Sequence, residues 1–316
     1  MSVKILVTGG VGYIGSVLVR HLLDNSYHVT VLDNLMYHQN QTGLLQYCYR
    51  DSFNFVAGDV RNKTLMQELL KQHDIIIPLA AIVGVPICDR DPWLAESINY
   101  ESIRLLNELR SLDQPIIFPS TNSSYGAQEG LLPCTEKTFL NPISLYGRTK
   151  VKAEELLLGS KNTISLRFAT VFGVSQRMRL DLLVNDFTYR AVRDQFIPLY
   201  EAHFRRSYVH IEDVARSFCH CIEHFDQMSG EAYNVGLHQA NLTKYELAEK
   251  IKEHVPGLEI HCSETGVDPD KRNYVTSTDK IRAKGFETIH SLDEGIVQLL
   301  KAYQMIQFTG FGNARH

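Results

Sequence analysis

The sequence predicts an α/β protein built on a doubly wound parallel sheet of the Rossmann type, and three observations support this fold class. Short apolar runs alternate with amphipathic runs of helical length through the first half of the chain. Several apolar runs lack polar alternation, which is typical of strands buried on both faces. A glycine-rich loop joins the first strand to the first helix, where such sheets bind dinucleotides.

The first half of the chain supplies the elements of this sheet in order. Strands are predicted at residues 3–7, 28–32, 53–57, 74–79 and 115–119, and helices at 13–25, 64–71 and 94–110. After residue 167 the pattern loosens into a region rich in Arg, Tyr and Asp, and a further helix is predicted at 243–254.

This loosening predicts two domains. We expect a dinucleotide-binding domain over residues 1–168, to which a segment near 205–236 returns. A smaller C-terminal substrate-binding domain is expected over 169–204 and 237–305, and residues 306–316 form a tail.

Composition excludes several classes of protein. The net charge of -4 argues against nucleic-acid binding, and no apolar run is long enough for a membrane helix. The six cysteines form no CxxC pair, so we predict reduced thiols in a cytoplasmic protein and no metal site. Cys219, His220, Cys221 and His224 lie close together, but the two cysteines fall on different faces of a predicted helix.

The glycine-rich loop predicts a dinucleotide site. Gly9 permits a tight turn, Gly12 leaves room for a pyrophosphate, and Gly15 lets the helix approach the sheet. The backbone N–H groups at Tyr13 and Ile14 open the helix, where they offer donors and partial positive charge to phosphates.

Acidic residues after the next two strands refine this prediction to NAD. Asp33 ends the second strand, where its carboxylate can bind an adenosine ribose and would repel a 2′-phosphate. Residues 33–41 contain no arginine, which also disfavours NADP. Asp59 and Val60 follow the third strand and either contact the adenine or form a surface turn, and Asn34 is expected beside the cofactor.

Tyr146 and Lys150 are spaced for general-base chemistry. Four residues apart on one helix, they share a face. Hydride transfer from an alcohol carbon needs a base for the hydroxyl proton, and free tyrosine has a pKa of about 10. A nearby ammonium group and a positive nicotinamide ring both favour the phenolate. Thr121 follows the fifth strand and either shares a hydrogen bond with the reacting oxygen or belongs to a polar turn.

Together these features resemble the extended short-chain dehydrogenase/reductase superfamily, in particular its nucleotide-sugar epimerase and dehydratase branch. The similar segments are the loop Thr8-Gly9-Gly10-Val11-Gly12-Tyr13-Ile14-Gly15, the strand end Leu79-Ala80-Ala81, Asn99, and Asn141-Pro142 followed by Tyr146 and Lys150. The resemblance implies that Tyr146 is the base, that Lys150 holds the nicotinamide ribose, and that Thr121 is the hydroxyl partner. It also implies that Leu79, Ala80, Ala81 and Asn99 lie beside NAD, and that the chain forms a homodimer through helices 94–110 and 150–158.

Later segments are similar to the same branch. The run from Arg167 to Gly173 resembles the motif RYFNVYG, with Thr170 in place of an asparagine that meets the substrate phosphate. Arg206 and Arg272 fall where the family places arginines against a sugar-nucleotide pyrophosphate. The alternative for both arginines is a solvated surface charge.

The residues after Thr121 bear on the reaction. The family oxidises a sugar carbon, commonly C4, and its dehydratases then use an Asp and a Glu to expel water. Asn122 and Ser123 stand here, so we predict a substrate contact without dehydration. Two reactions remain, a dehydrogenase that releases the keto sugar and a 4-epimerase of the UDP-glucose type. A non-catalytic NAD sensor on the same fold is a third alternative.

The region from 177 to 187 suggests a branch within the family. It resembles bacterial enzymes that oxidise C4 of GDP-linked heptoses for capsule polysaccharide. Arg177 and Arg179 then either contact substrate phosphates and hydroxyls or cap a surface helix. Arg179 and Asn185 are expected in the substrate site.

Overall fold

The computed structural model describes residues 2–37, 43–128, 132–238, 240–263 and 272–306. Its strands are β1 (Lys4–Thr8), β2 (His28–Asp33), β3 (Phe53–Ala57), β4 (Ile75–Pro78), β5 (Ile116–Thr121), β6 (Thr163–Phe168), β7 (Thr170–Phe172), β8 (Phe196–Tyr200), β9 (Arg205–His210), β10 (Ala232–Val235), β11 (Asn241–Thr243) and β12 (Glu259–Ser263). Its α-helices are α1 (Tyr13–Asp24), α2 (Lys63–Leu70), α3 (Val85–Arg90), α4 (Pro92–Glu96), α5 (Ser102–Leu109), α6 (Leu145–Leu158), α7 (Leu183–Arg193), α8 (Ile211–Glu223), α9 (Phe225–Met228), α10 (Lys244–His254), α11 (Asp279–Arg282) and α12 (Leu292–Met305).

A seven-stranded parallel sheet organises the first part of the fold. Its strand order is β3-β2-β1-β4-β5-β6-β10. The chain adds β2 and β3 on one side of β1 and then crosses over to add β4 on the other side. Every neighbouring pair in it is parallel. β4 and β5 are buried along their whole length, as their unbroken apolar sequences predict. The predicted fold class is confirmed.

Alternate residues of the strands point to opposite faces of the main sheet, and each face packs against helices. Ile5 and Val7 of β1 pack into a core on the side of α1 and α8, whereas Leu6 between them packs on the side of α2, α5 and α6. This period of two follows from the pleat of a strand, which sends successive side chains to opposite faces. Both faces of the sheet are therefore covered by helices. The carboxyl ends of the strands remain uncovered, and ligands bind there in sheets of this kind.

A second core lies beyond the sheet. It contains buried apolar residues of α7, α10 and α12 together with Ile197 and Leu199 of β8. Two small sheets accompany it, one of β7, β9 and β11 and one of β8 and β12. The region 170–206, where the sequence pattern loosens, thus holds β7, α7, β8 and the start of β9. The exact domain boundaries stay a prediction.

The helix predicted over residues 94–110 is interrupted. α4 and α5 are separated by a π-helical stretch, Ser97–Glu101. Such a stretch bulges one turn of the helix and re-aims its side chains, often beside functional sites. Here it carries Asn99, whose side chain is buried among the loops at the carboxyl edge of the sheet.

Within the described ranges, no helix is both long and apolar enough to cross a membrane. These ranges also hold no group of three or more histidine, cysteine or acidic residues that could hold a metal ion. Cys219 and Cys221 are buried free thiols of α8.

Candidate active site

The glycine-rich loop is shaped by two close approaches. Gly9 has a φ of 70°, and a Cβ atom there would lie 2.6 Å from the backbone nitrogen of Ala80. A Cβ on Gly15 would lie 2.5 Å from the carbonyl oxygen of Gly9. Neither position tolerates a side chain without moving the backbone. The loop therefore brings the N-terminus of α1 to the carboxyl edge of β1 and β4, with its first N–H groups facing the cavity described below.

The carboxylate of Asp33 is held in place by backbone donors. Its Oδ2 accepts a hydrogen bond from Val11 N at 3.0 Å and its Oδ1 accepts one from Leu35 N at 2.8 Å. Burial raises the pKa of Asp33, and these two backbone hydrogen bonds act against the rise. The side chain lines the cavity at the end of β2, where the sequence places an adenosine ribose.

Asp59 and its neighbours also line this end of the cavity. Asp59 pairs with Arg61 at 2.7 Å, and hydrogen bonds from Arg61 lower the pKa of Asp59 to about 2. Asn34 donates to Asp59 at 3.3 Å, and Val60 lines the same wall. The carboxylate of Asp59 is thus a fixed negative charge.

The strand end at residues 79–81 lines the cavity, but Asn99 does not. The Asn99 side chain accepts a hydrogen bond from Ile82 N at 2.8 Å and donates to Ile82 O at 2.9 Å and to Thr149 at 3.2 Å. These contacts use its amide to join the loop after β4 to α6. The expectation of a direct cofactor contact by Asn99 is therefore corrected: it positions other residues.

Tyr13 connects the glycine-rich loop to the segment that follows β7. It lines the cavity, but its hydroxyl donates to the carbonyl of Gly173 at 2.7 Å and accepts from Asn185 at 3.2 Å. Ser175 Oγ donates to Tyr13 O at 2.8 Å. The start of α1 is thus fastened to the segment that follows β7.

Tyr146, Lys150 and Thr121 meet at the carboxyl end of β5. α6 begins after Ser144, whose Oγ accepts from Gly147 N at 3.1 Å and so fixes the first turn that carries Tyr146. Tyr146 lines the same cavity as Thr121, the last residue of β5, and Thr121 acts to lower the pKa of Tyr146. Lys150 is one turn further along α6, with Nζ 4.1 Å from the ring centroid of Phe118.

Burial dominates the protonation of both catalytic candidates. It raises the pKa of Tyr146 to about 12, against the opposing charges of Arg179 and Arg272 and the hydrogen bond with Thr121. It lowers the pKa of Lys150 to about 7, against the opposing charge of Glu154. Both shifts follow from the cost of holding a charge away from water. The site is therefore sensitive to any additional charge placed in it.

The polar turn after β5 divides its side chains between the cavity and the interior. Ser123 lines the cavity, where its hydroxyl hydrogen-bonds with Thr121 at 3.0 Å and accepts from Arg272. Asn122 is fully buried, with its Nδ2 donating to Thr276 at 3.4 Å, and it does not line the cavity. The expected substrate contact of Asn122 is corrected on this ground, because its side chain points away from the site.

The expected substrate contact of Asn185 is corrected in the same way. The residue is fully buried and absent from the cavity wall. Its side chain accepts from Gly173 N at 3.1 Å and donates to Tyr13 Oη and to Arg179 O. These hydrogen bonds of the Asn185 amide hold the segment that follows β7.

The remaining predicted substrate residues lie together. Arg179, Arg206, Arg272 and Thr170 line one cavity with Tyr146. Arg179 forms an ion pair with Asp181 at 2.6 Å. Arg206 is buried at 3% exposure and donates to the carbonyl of Arg205 at 3.0 Å. The solvated alternative for Arg206 is wrong, because the side chain is inside the protein.

All these groups surround one cavity of about 540 Å³, a volume suited to small-molecule ligands. Its charged residues are the cations Lys150, Arg177, Arg179, Arg206, Lys244 and Arg272 and the anions Asp33, Asp59, Asp181 and Asp186. The lining is thus net positive in a chain whose net charge is -4. This contrast indicates anionic ligands.

Sequence reasoning missed several lining residues. Tyr37 and Lys244 line the cavity with no motif around them, and Asp181 and Asp186 line it within the region 177–187. Arg177, at 3% exposure, is a buried cavity residue rather than the cap of a surface helix. The only local signal was the resemblance of the region 177–187 to one branch of the family.

A doubly wound sheet, a glycine-rich loop and a Tyr–Lys–Thr set at one edge define an oxidoreductase-type enzyme of the extended short-chain dehydrogenase/reductase class. The model for the NAD dependent epimerase/dehydratase family matches residues 5–236. The chain belongs to this family. Membership makes it an NAD-dependent enzyme rather than the non-catalytic sensor that the sequence left open.

Full-length relatives and solved structures agree with this assignment. The low-salt glycan biosynthesis protein Agl12 of Haloferax volcanii is 30% identical, over 95% of this chain and 98% of that protein. A dTDP-glucose 4,6-dehydratase of Streptomyces niveus is 30% identical, over 95% and 93%. The structure of UDP-glucose 4-epimerase from Thermotoga maritima with UDP-glucose superposes with a TM-score of 0.83, at 27% identity and over 96% and 99%.

The residues present fit NAD. Gly9 and Gly15 pack so closely against backbone atoms that the loop turns tightly at the cavity wall. The N-terminus of α1 follows this loop and suits a pyrophosphate, and the Asp33 carboxylate at the end of β2 suits a ribose hydroxyl pair. Lys150 lies at the opposite end, beside Tyr146, where the nicotinamide ribose would be held.

Proposed function

We propose that the enzyme oxidises a nucleotide-activated sugar at a ring hydroxyl, C4 in the family pattern, with Tyr146 as the base. One observation carries the proposal: Tyr146, Thr121 and Lys150 line the same positively lined cavity that the glycine-rich loop opens into. A proton acceptor, a hydroxyl that orients the reacting oxygen, and a dinucleotide cradle then share one space.

The proton path runs through Thr121 and Tyr146. Thr121 holds the substrate hydroxyl against Tyr146 Oη, which takes its proton as the C–H hydrogen leaves with its electron pair. NAD, when bound, supplies the acceptor for that hydride and a positively charged ring beside the phenol. The phenol needs such a charge, because the protein's own groups leave the pKa of Tyr146 at about 12. Lys150, when protonated, adds a second positive charge that favours the phenolate of Tyr146.

The far part of the cavity suits a diphosphate. Arg206 and Arg272 reach it from segments that are distant in the sequence, and Lys244 joins them from the first residue of α10. Guanidinium groups form paired hydrogen bonds with phosphate oxygens, and burial strengthens them. We assign these three residues to the diphosphate of the nucleotide sugar, with Arg179 and Thr170 nearer the sugar.

Dehydration is disfavoured by the side chains that follow Thr121. Ser123 is the cavity residue there, and it carries no carboxyl group. Asn122 points into the protein. Asp181 lies nearby, but the charge and hydrogen bonds of Arg179 outweigh burial and lower the pKa of Asp181, so it is ionised and cannot act as a proton donor. The product expected is a keto sugar or an epimer.

The two remaining reactions differ in whether the keto sugar is released. A GDP-linked heptose is our first candidate substrate for release, on the resemblance of residues 177–187, with a role in surface polysaccharide synthesis. A 4-epimerase is the second candidate, and the full-length superposition on the Thermotoga maritima UDP-glucose 4-epimerase favours it.

Product analysis separates these reactions. Purified enzyme is incubated with UDP-, dTDP- and GDP-sugars, including a GDP-heptose, and products are measured by mass spectrometry and NMR. A product that has lost two hydrogen atoms indicates a dehydrogenase, and one of unchanged mass with an inverted C4 proton indicates an epimerase. A product that has lost water would contradict our assignment of residues 122 and 123. Tyr146→Phe serves as the control for background conversion.

We also propose that the enzyme is a homodimer through the face formed by α4, α5 and α6. This face carries the exposed side chain of Trp93 and an ion pair between Lys152 and Glu96 at 2.8 Å. Light scattering after size-exclusion chromatography should give twice the chain mass. Trp93→Glu and Arg148→Glu on this face should shift the mass toward the monomer, and a monomeric wild type would contradict the proposal.

A further inference from the structure

Two buried polar atoms on neighbouring side chains have no hydrogen-bond partner among the residues that the structure describes. They are the hydroxyl of Tyr37 and one terminal nitrogen, Nη2, of Arg177. The guanidinium of Arg177 lies 4.8 Å from the centroid of the Tyr37 ring, and both side chains line the cavity. Buried polar groups are nearly always paired, so two such atoms on side chains that line one cavity point to a ligand.

The backbone that carries Arg177 is fixed over the start of α1. Ser175 Oγ donates to Tyr13 O at 2.8 Å and lies 2.8 Å from Ser16 Oγ. Arg177 N then donates to Ser175 Oγ at 3.3 Å. The guanidinium therefore extends from a segment that is hydrogen-bonded to the first turn of α1, and it lines the same cavity as the glycine-rich loop.

The electrostatics of this position call for an anion. Burial, and then the charge of Arg179, lower the pKa of Arg177 to about 10, while the charges of Tyr37, Asp181 and Asp33 oppose the shift. Asp33 itself is held by two backbone donors and does not pair with the guanidinium. An anion bound here would satisfy Nη2 and offset the cost of burying the cation.

We propose that Arg177 and Tyr37 form a clamp that binds the NAD pyrophosphate on the side opposite the N-terminus of α1. The pyrophosphate is the anionic part of the dinucleotide, and the glycine-rich loop places it beneath the segment that carries Arg177. Asp33 occupies the ribose end. Tyr37 follows β2 and Arg177 follows β7, so the clamp joins two distant segments of the chain over a cofactor that the loop alone would leave open.

Cofactor exchange tests this clamp. Holoenzyme is mixed with isotopically labelled NAD, and the exchange of bound NAD is followed by mass spectrometry of the released nucleotide. Arg177→Gln should accelerate exchange by about 10- to 100-fold, the value of one charge-assisted hydrogen bond. Tyr37→Phe, which removes only the hydroxyl, should accelerate it by a smaller factor, and Arg177→Lys should fall between Arg177→Gln and wild type.

The matched control is Arg193→Gln, on the exposed end of α7 outside the cavity. Its exchange rate should equal that of wild type. Exchange within twofold of wild type in both Arg177→Gln and Tyr37→Phe would overturn the clamp. Because Tyr37→Phe keeps the ring and its packing, the test survives even if Arg177→Gln folds poorly.

Fragments of the cofactor locate the contact. Competition against NAD is measured with ADP-ribose, which contains the pyrophosphate, and with adenosine, which does not. Arg177→Gln should weaken ADP-ribose about as much as NAD and leave adenosine within twofold. Equal weakening of adenosine would move Arg177 to the ribose, and weakened binding of UDP or GDP with unchanged ADP-ribose would assign it to the substrate; either result would overturn the proposal.

Discussion

The two ends of the cavity are built in different ways. At the cofactor end, the loop from Gly9 to Gly15 and Asp33 lie close together in the sequence, and backbone geometry does most of the positioning. At the substrate end, Arg179, Arg206 and Arg272 come from separate segments, and side-chain charge does the positioning. Changing the loop requires a shift of the backbone, whereas a single arginine can be exchanged without one. We therefore expect the first end to hold the cofactor and the second to select the substrate.

The largest expected effect lies where the two ends meet. Tyr146→Phe removes the base and keeps the ring, so we expect turnover to fall by about 10²- to 10⁴-fold while NAD stays bound. Steady-state rates and the NAD content of the purified protein measure the two quantities. Tyr189→Phe, in the second core against Tyr303, is the matched control. Activity of Tyr146→Phe within twofold of wild type would remove Tyr146 from its role.

The substrate end is tested by two neighbours on β9. Arg206 enters the cavity, whereas Arg205 turns outward to Glu246 at 3.4 Å. Arg206→Met should raise KM for the nucleotide sugar by about 10- to 100-fold, because a charged hydrogen bond to phosphate is lost, and leave NAD affinity unchanged. Arg205→Met should do neither. Equal KM effects in both variants would break the distinction between the two ends.

At the cofactor end, Asp33→Ala should relax the preference for NAD over NADP. We expect the carboxylate to bind the ribose and to repel a 2′-phosphate, so the ratio of the two Kd values should fall by about tenfold. Calorimetry of both nucleotides measures the ratio. Asp74→Ala, at the opposite edge of the sheet against Lys4 N, controls for the loss of one negative charge. An unchanged ratio in Asp33→Ala argues against the ribose contact.

The smallest effect is on stability. Burial lowers the pKa of Lys150 from 10.5 to about 7, with Glu154 opposing the shift. Between these values the unfolded chain binds more protons at Lys150 than the folded chain, so the free energy of unfolding rises with pH across this window. The loss of stability caused by burying the charged Lys150 is fully present below about pH 7. Lys150→Met should therefore raise Tm by about 2 °C at pH 7 while it impairs catalysis.

The pH dependence of that gain provides the check. The difference in Tm between Lys150→Met and wild type should shrink as pH rises from 7 toward 10, as measured by scanning calorimetry. A gain that stays constant with pH would mean that packing against Phe118, and not the charge of Lys150, sets the difference.

The sequence predicts best what neighbouring residues determine together. The strand–loop–helix at Gly9 and the pair Tyr146 and Lys150 depend on short spacings, which fix the side of a helix or the shape of a turn. Asn122 and Asn185 were assigned wrongly to the substrate because spacing does not give side-chain direction in a turn or at a helix start. In both cases the amide turns inward to partners far along the chain.

The longer-range features had no local signal. The pairing of Tyr37 with Arg177 joins positions 140 apart in the sequence, and no short spacing predicts it. The π-helical stretch Ser97–Glu101 also had no local signal, because the amphipathic pattern of residues 94–110 is that of a continuous helix. Asn99 shows why the interruption matters: it places one amide between Ile82 and Thr149.

The hydrogen bond from Tyr13 to the carbonyl of Gly173 has a consequence for synthesis of the chain. The two residues are 160 positions apart, and Asn185, which donates to the same hydroxyl, comes later still. On the ribosome, the glycine-rich loop emerges early and stays uncovered until this later segment follows. A chain that ends before residue 170 would therefore carry the glycine-rich loop without the segment that fastens the start of α1.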